Sequence, residues 1–204
     1  LMTGVGGAAG RLMPDTGTMA YARMLSGKDE IVAEVRRQIK IGVDWIKVHV
    51  TGSFAHRRSE GEFVTFTMDE LRTICDIAHD FGIPVAGHCR SAKSITMACE
   101  AGFDQIIHGT FMDDGALDAL VKHGTMLVPA LTFQANLIEF GDTIHASPMM
   151  QDLFRREIEV TAEMFNKAFH AGVPLLCGSE SGFRSRPTVT GTTARWRFTS
   201  SSWA

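Results

Sequence analysis

The stretch Thr67-Met-Asp-Glu70-Leu71-Arg-Thr-Ile74-Cys75-Asp-Ile-Ala78-His-Asp-Phe81-Gly82-Ile-Pro-Val-Ala-Gly-His88 holds the fold in miniature. Thr67 and Glu70 have the Thr-x-x-Glu spacing of a capping box, which satisfies the free N–H groups of a starting helix. Leu71, Ile74, Cys75, Ala78 and Phe81 then recur at helical spacing. Gly82 follows where the chain leaves the helix through the left-handed conformation, which only Gly takes without a Cβ penalty. The next residues form a short apolar run. Unbroken hydrophobicity, rather than polar alternation, is what a parallel strand covered on both faces requires.

The same unit recurs on either side. Gly42-Val-Asp-Trp-Ile-Lys-Val, Gly102-Phe-Asp-Gln-Ile-Ile, Gly124-Thr-Met-Leu-Val and Gly172-Val-Pro-Leu-Leu each follow a segment with helical character. Helices are expected over 26–41, where Ile31, Val35 and Ile39 share a stripe, and over 67–81, 92–101, 114–123 and about 149–171. Strict alternation of helix and buried strand means βαβ units and a parallel sheet. An open doubly wound sheet and a (β/α)8 barrel both satisfy that pattern. The glycine-rich stretch Gly4-Val-Gly-Gly7-Ala-Ala-Gly10 lacks the preceding strand and the later acidic residue of a dinucleotide site, which favours the barrel. The expected fold class is therefore α/β, a partial (β/α)8 barrel of about five parallel strands over residues 1–183.

Composition excludes several classes. The 204 residues carry 20 Lys plus Arg against 23 Asp plus Glu, with 45% hydrophobic residues. That apolar content excludes intrinsic disorder, and the near-neutral balance lacks the basic footprint of a nucleic-acid or anionic-membrane binder. No stretch reaches the length of a membrane-spanning helix. Cys75, Cys89, Cys99 and Cys177 stand singly, so neither a disulfide framework nor a zinc ribbon is expected, and a reducing, cytoplasmic compartment fits. The chain opens at Leu1 without a basic segment followed by an apolar one, so no signal peptide is expected and the start reads as internal. Residues 184–204 follow neither period and read as an irregular tail, disordered or out of frame.

In parallel α/β folds the functional groups gather at the carboxyl ends of the strands. The apolar runs end at Lys47, His88, His108, Pro129 and Gly178-Ser-Glu180. Two imidazoles at the same depth on neighbouring strands can converge on one cation, because neutral His is a common ligand of zinc and similar ions. The alternative is a pair of hydrogen-bonded core histidines. Lys47, inside Val43-Asp-Trp-Ile-Lys-Val-His-Val50, needs a use that offsets its desolvation: a Schiff base, a general base, carbamylation, or a paired carboxylate. His49 shares its face by alternation and either orients the site or packs there. His79, His123 and His170 sit near helix C-termini, where surface roles are expected. His56, beside Arg57, Arg58 and Glu60, and His145 fall in loops. Asp113 and Asp114 read as helix caps.

These residues resemble a known family. Gly42-Val-Asp-Trp-Ile-Lys47-Val-His-Val-Thr-Gly52, Phe66 to Leu71, Ala78 to His88, Ala101-Gly-Phe-Asp-Gln-Ile-Ile-His108-Gly-Thr, Leu127 to Leu131 and Gly178-Ser-Glu180-Ser-Gly182 are similar to the amidohydrolase superfamily. The similarity is closest to its imidazolonepropionase-like and prolidase-like branch and covers roughly residues 11–183. The resemblance implies a (β/α)8 barrel with a metal centre at its mouth. Lys47 would match the family's carboxylated lysine, His88 and His108 its two metal-binding histidines, and Glu180 the acid that binds metal and acts as catalytic base. One or two divalent ions, zinc first among them, would activate water against an amide or other C–N bond. The implied substrate is a small molecule: an N-acyl amino acid, a dipeptide or a cyclic amide. Nucleic-acid and membrane partners are not expected, and a homo-oligomer is left open. Two departures stand out. The family's His-x-His pair has no counterpart here and would lie upstream of Leu1, leaving the chain incomplete for activity, and Glu180 replaces an aspartate. A non-catalytic barrel remnant and a Schiff-base lyase using Lys47 are the alternatives.

Overall fold

The capping box at Thr67 forms as its spacing requires. The Glu70 amide donates to Thr67 Oγ1 at 3.3 Å, and the Thr67 amide donates to Glu70 Oε2 at 2.8 Å. Five glycines predicted to end helices, Gly42, Gly82, Gly102, Gly124 and Gly172, all have φ between +66° and +100°. These local signals place the elements of a computed structural model that describes residues 1–4, 22–52, 63–142 and 147–178. In chain order they are β1 (Met2–Gly4), β2 (Arg23–Leu25), α1 (Lys28–Lys40), β3 (Ile46–His49), α2 (Met68–Asp80) and β4 (Val85–Ser91). There follow α3 (Ala92–Ala101), β5 (Gln105–Phe111), α4 (Asp114–His123), β6 (Met126–Val128), α5 (Thr132–Glu139) and α6 (Pro148–His170).

The six strands form one parallel sheet in the order β2-β1-β3-β4-β5-β6. Beyond β6 the chain returns at Leu175, which bridges Leu127 in parallel through N–H donation from Leu127 to Pro174 and from Leu176 to Leu127, both 2.9 Å. Alternating strands and helices with sequential neighbours from β3 onward are part of a (β/α)8 barrel. Among the described residues no helix is long and apolar enough to cross a membrane.

Three features differ from the pattern read in the sequence. The strands β1 and β2 are too short to carry a legible period. Helix α5 occupies a stretch that reads as loop, because its buried residues include Thr132, Gln134 and Asn136 and it lacks a clean apolar stripe. The run after Gly172 is a single bridge rather than a named strand. Residues 179–204, with Glu180 and the expected irregular tail, lie outside the described residues, as do His56, the rest of the segment 53–62, and His145.

Strand alternation decides which side chains face the helices. Ile46, Val48, Val85, Cys89 and Ile106 join the single hydrophobic cluster with Ile31 and Val35 of α1, Leu71 and Ile74 of α2 and Ile95 of α3. Each such fully buried aliphatic side chain contributes about 1.5–3 kcal/mol. Lys47, His49 and His88 therefore fall on the opposite face, toward the barrel interior.

Candidate metal centre

The register of β3 against β4 pairs Lys47 with Ala86 and His49 with His88. His88 thus has a histidine level with it, and Lys47 lies two residues deeper. The rings of His49 and His88 are 4.8 Å apart at 50°, and those of His88 and His108 are 4.4 Å apart at 71°. All three histidines are buried, and Lys47 is half-buried. The sequence left His49 between two roles; the structure sets its ring against that of His88.

His108 reaches this cluster by a departure from strand geometry. In the β4–β5 register His88 is level with Ile107, and His108 is level with Cys89, which faces the helices. Regular alternation would send His108 to that same outer face. Its φ of +81°, followed by +63° at Gly109, breaks the alternation and turns the imidazole inward to His88. A left-handed conformation at a non-glycine residue costs about 1–3 kcal/mol and persists only where its surroundings enforce it.

The hydrogen bonding of His88 settles its tautomer. Its Nε2 lies 3.1 Å from the Gly52 carbonyl, an acceptor only, so Nε2 carries the proton and Nδ1 presents a lone pair. Burial pushes the His88 imidazolium well below its ordinary pKa, and the adjacent His108, His49 and Lys47 push it further, outweighing the Gly52 hydrogen bond. His88 is therefore neutral near pH 7, the form a metal ligand requires. The buried thiols are the reverse case. Burial raises Cys75 and Cys89 far above the usual thiol range and Cys99 to about 11, so none supplies a thiolate near neutral pH.

Among the described residues no group of three or more His, Cys, Asp or Glu is placed to hold a metal. The structure brings Lys47, His88 and His108 to one region of the sheet; the two histidines do not end their strands as the apolar runs predict, because β4 continues to Ser91 and β5 to Phe111, and Glu180 lies outside the described residues. The remaining described histidines, His79, His123 and His170, are exposed. His79 Nε2 meets Asp104 Oδ2 at 2.9 Å, His170 Nδ1 donates to the Asn166 carbonyl at 2.9 Å, and His123 ends α4. Asp113 caps α4, its Oδ1 accepting from the Ala116 amide at 2.8 Å.

One element of the region escaped the sequence reading. Arg90, two residues beyond His88, forms a buried ion pair with Glu157 of α6 at 2.7 Å and lies 5.6 Å from the Phe111 ring centroid. The signal was present in the spacing. Glu157 shares a helical face with Thr161 and Phe165, so it belongs to the inner stripe of α6.

Comparison with known proteins bears on the same stretch. The model of the Amidohydrolase family matches residues 1–194. An uncharacterized protein of Mycobacterium tuberculosis is 30% identical over 166 residues, covering 79% of this chain and 43% of that protein. Ochratoxinase of Aspergillus niger is 23% identical over 159 residues, covering 76% of this chain and 32% of that enzyme. Among solved structures, a Xaa-Pro dipeptidase with bound methionine in its active site superposes with a TM-score of 0.78 at 25% identity, covering 100% of this chain and 51% of that one. The Aspergillus niger ochratoxinase structure gives 0.79 at 18% identity, covering 98% and 49%. The chain spans less than half the length of these curated relatives and about half of these solved chains. With the family model matched along nearly its whole length, the chain belongs to the amidohydrolase family.

Proposed function

We propose that the protein of which this chain forms part is a metal-dependent hydrolase of a C–N bond in an amide, dipeptide or N-acyl amino acid. The observation that carries the reading is the His88–His108 pair: two buried imidazoles in ring contact on neighbouring strands, one locked with Nδ1 as its lone-pair nitrogen. The donor chemistry fits a divalent cation in part. His88 supplies a neutral nitrogen ligand and His108 a second imidazole, Lys47 lies on the same face, and Glu180 would complete the set from the end of the last apolar run. The similarity to an ochratoxinase and a Xaa-Pro dipeptidase supports the amide class.

When bound, a divalent metal supplies a water of lowered pKa and polarises the scissile carbonyl. The residues of this chain prepare for that chemistry. Gly52 orients the His88 ring, and His49 packs against it. Lys47 would add through its amine lone pair to carbon dioxide with release of a proton, giving an anionic carbamate in place of a costly ammonium. Glu180 would serve as the base that accepts a proton from water and returns it to the leaving amine.

The test is metal content by mass spectrometry on the full chain with and without bicarbonate, beside Lys47→Ala and His88→Ala, and hydrolysis of a panel of dipeptides and N-acyl amino acids. Bound zinc or a similar ion that falls in both variants, with chelator-sensitive hydrolysis, supports the reading. Absence of metal, or borohydride trapping of a carbonyl substrate on Lys47 with indifference to chelators, overturns it.

A further inference from the structure

Helix α6 meets β4 and β5 just beyond the two histidines. Glu157, Thr161 and Phe165 are spaced four apart and form one stripe. Glu157 pairs with Arg90, two residues past His88, at 2.7 Å with both side chains buried. Thr161 Oγ1 donates to the Thr110 carbonyl, two residues past His108, at 3.4 Å, and also to the Glu157 carbonyl. Phe165 closes the stripe against Gly109, where an added Cβ would come 3.6 Å from its ring tip. The three contacts bracket the stretch in which His108 and Gly109 have φ of +81° and +63°. Strain of this kind survives only where packing enforces it, and the inner stripe of α6 is seated on it.

We propose that α6 is a clamp that sets the geometry of the His88–His108 pair, with Glu157 and Thr161 as positioning residues acting through Arg90 and Thr110. The inference rests on the reading of those histidines as the working pair. One helix fixes both strand ends at once, so the separation of the two rings depends on the stripe and not on the loops of the barrel mouth. Groups that orient metal-binding residues in this way change metal affinity by about 10–100-fold when removed.

The experiment reads geometry and metal separately. In the full chain, nitrogen-edited NMR signals of the His88 and His108 rings are compared for the unsubstituted protein, Glu157→Gln, Thr161→Val and Thr161→Ser. Asp114→Asn serves as the control, because it breaks an exposed contact of the same helix with Lys167. The expected result is that Glu157→Gln and Thr161→Val shift both ring signals, Thr161→Ser restores them, and Asp114→Asn leaves them in place. Zinc affinity should fall by about 10–100-fold in the first two. Ring signals that stay put while the melting temperature falls would make the stripe merely structural and overturn the clamp. Loss of folding in Thr161→Val leaves Glu157→Gln, which keeps the volume, to decide by the same signals. If the unsubstituted chain binds no zinc the hydrolase reading fails, and the ring signals still decide the clamp.

Discussion

The buried pair of Arg90 and Glu157 gives the sharpest quantitative expectation. Their side chains are 5% and 7% exposed and meet at 2.7 Å. Among the described residues Glu157 Oε2 has no hydrogen-bond partner, so Arg90 is the group that offsets the buried charge. Removing one member leaves the other charge desolvated, which costs about 3–5 kcal/mol. Replacing both by apolar residues of similar size removes the desolvation penalty together with the attraction and is often nearly neutral. Glu157→Leu is therefore expected to lose about 3–5 kcal/mol, and Arg90→Met a similar amount. The double substitution should lose no more than about 1 kcal/mol, a coupling of several kcal/mol. Urea unfolding followed by circular dichroism measures this. At a slope near 2 kcal/mol per molar, each single variant moves the midpoint down by about 2 M. Single variants that cost less than about 1 kcal/mol, or a double variant equal to the sum of the singles, would refute the desolvation account.

Three other expectations follow from local features. Gly109→Ala places a Cβ at φ +63° and 3.0 Å from Leu127 Cδ1, so it should destabilise by about 1–3 kcal/mol in the same unfolding assay. Thr67→Ala removes the capping box of α2 and should cost about 1 kcal/mol, with Thr67→Ser recovering most of it. For Glu34, burial alone would raise the carboxyl, but hydrogen bonds from Arg37 and Gln38 and the charges of Arg37 and Arg23 outweigh it and hold it below its ordinary value. Its folded form binds fewer protons than the unfolded chain, so its contribution is full above the unfolded value of 4.5 and is lost as pH falls through the lower folded value. Urea midpoints of Glu34→Gln should accordingly depend less on acid pH than those of the unsubstituted chain, and parallel curves would contradict this.

What could be read from the sequence is what short-range chemistry controls. Thr67 and Glu70 cap a helix because they are three residues apart, and Gly82 ends it because the next conformation penalises a Cβ. The helices over 92–101 and 114–123 have the bounds their patterns predict. The continuous apolar runs required a sheet covered on both faces, and with the alternation they gave the barrel class and the placement of His88 and His108 on neighbouring strands, though not that each strand runs on past its histidine. Helix α5 was hidden because its buried face carries polar side chains, so composition and periodicity disagree there.

The arrangement of the candidate site needed the third dimension. The apolar runs end at Lys47 on one strand and His88 on the next, but hydrogen-bond register between β3 and β4 places His49 level with His88 instead. A two-residue offset of this kind is invisible along a single strand, because it is set by which strand lies beside it. Alternation predicts an outward His108, and only the left-handed turn at His108 and Gly109 brings its ring to within 4.4 Å of its neighbour's. Arg90 and Glu157 are separated by 67 residues, and no local pattern names them as partners. The sequence by itself determined the elements, their order and the donor types, since caps, glycines and apolar runs act within a few residues. Tertiary structure decided which donors meet, because register, backbone strain and buried charge pairing exist only after distant segments have packed.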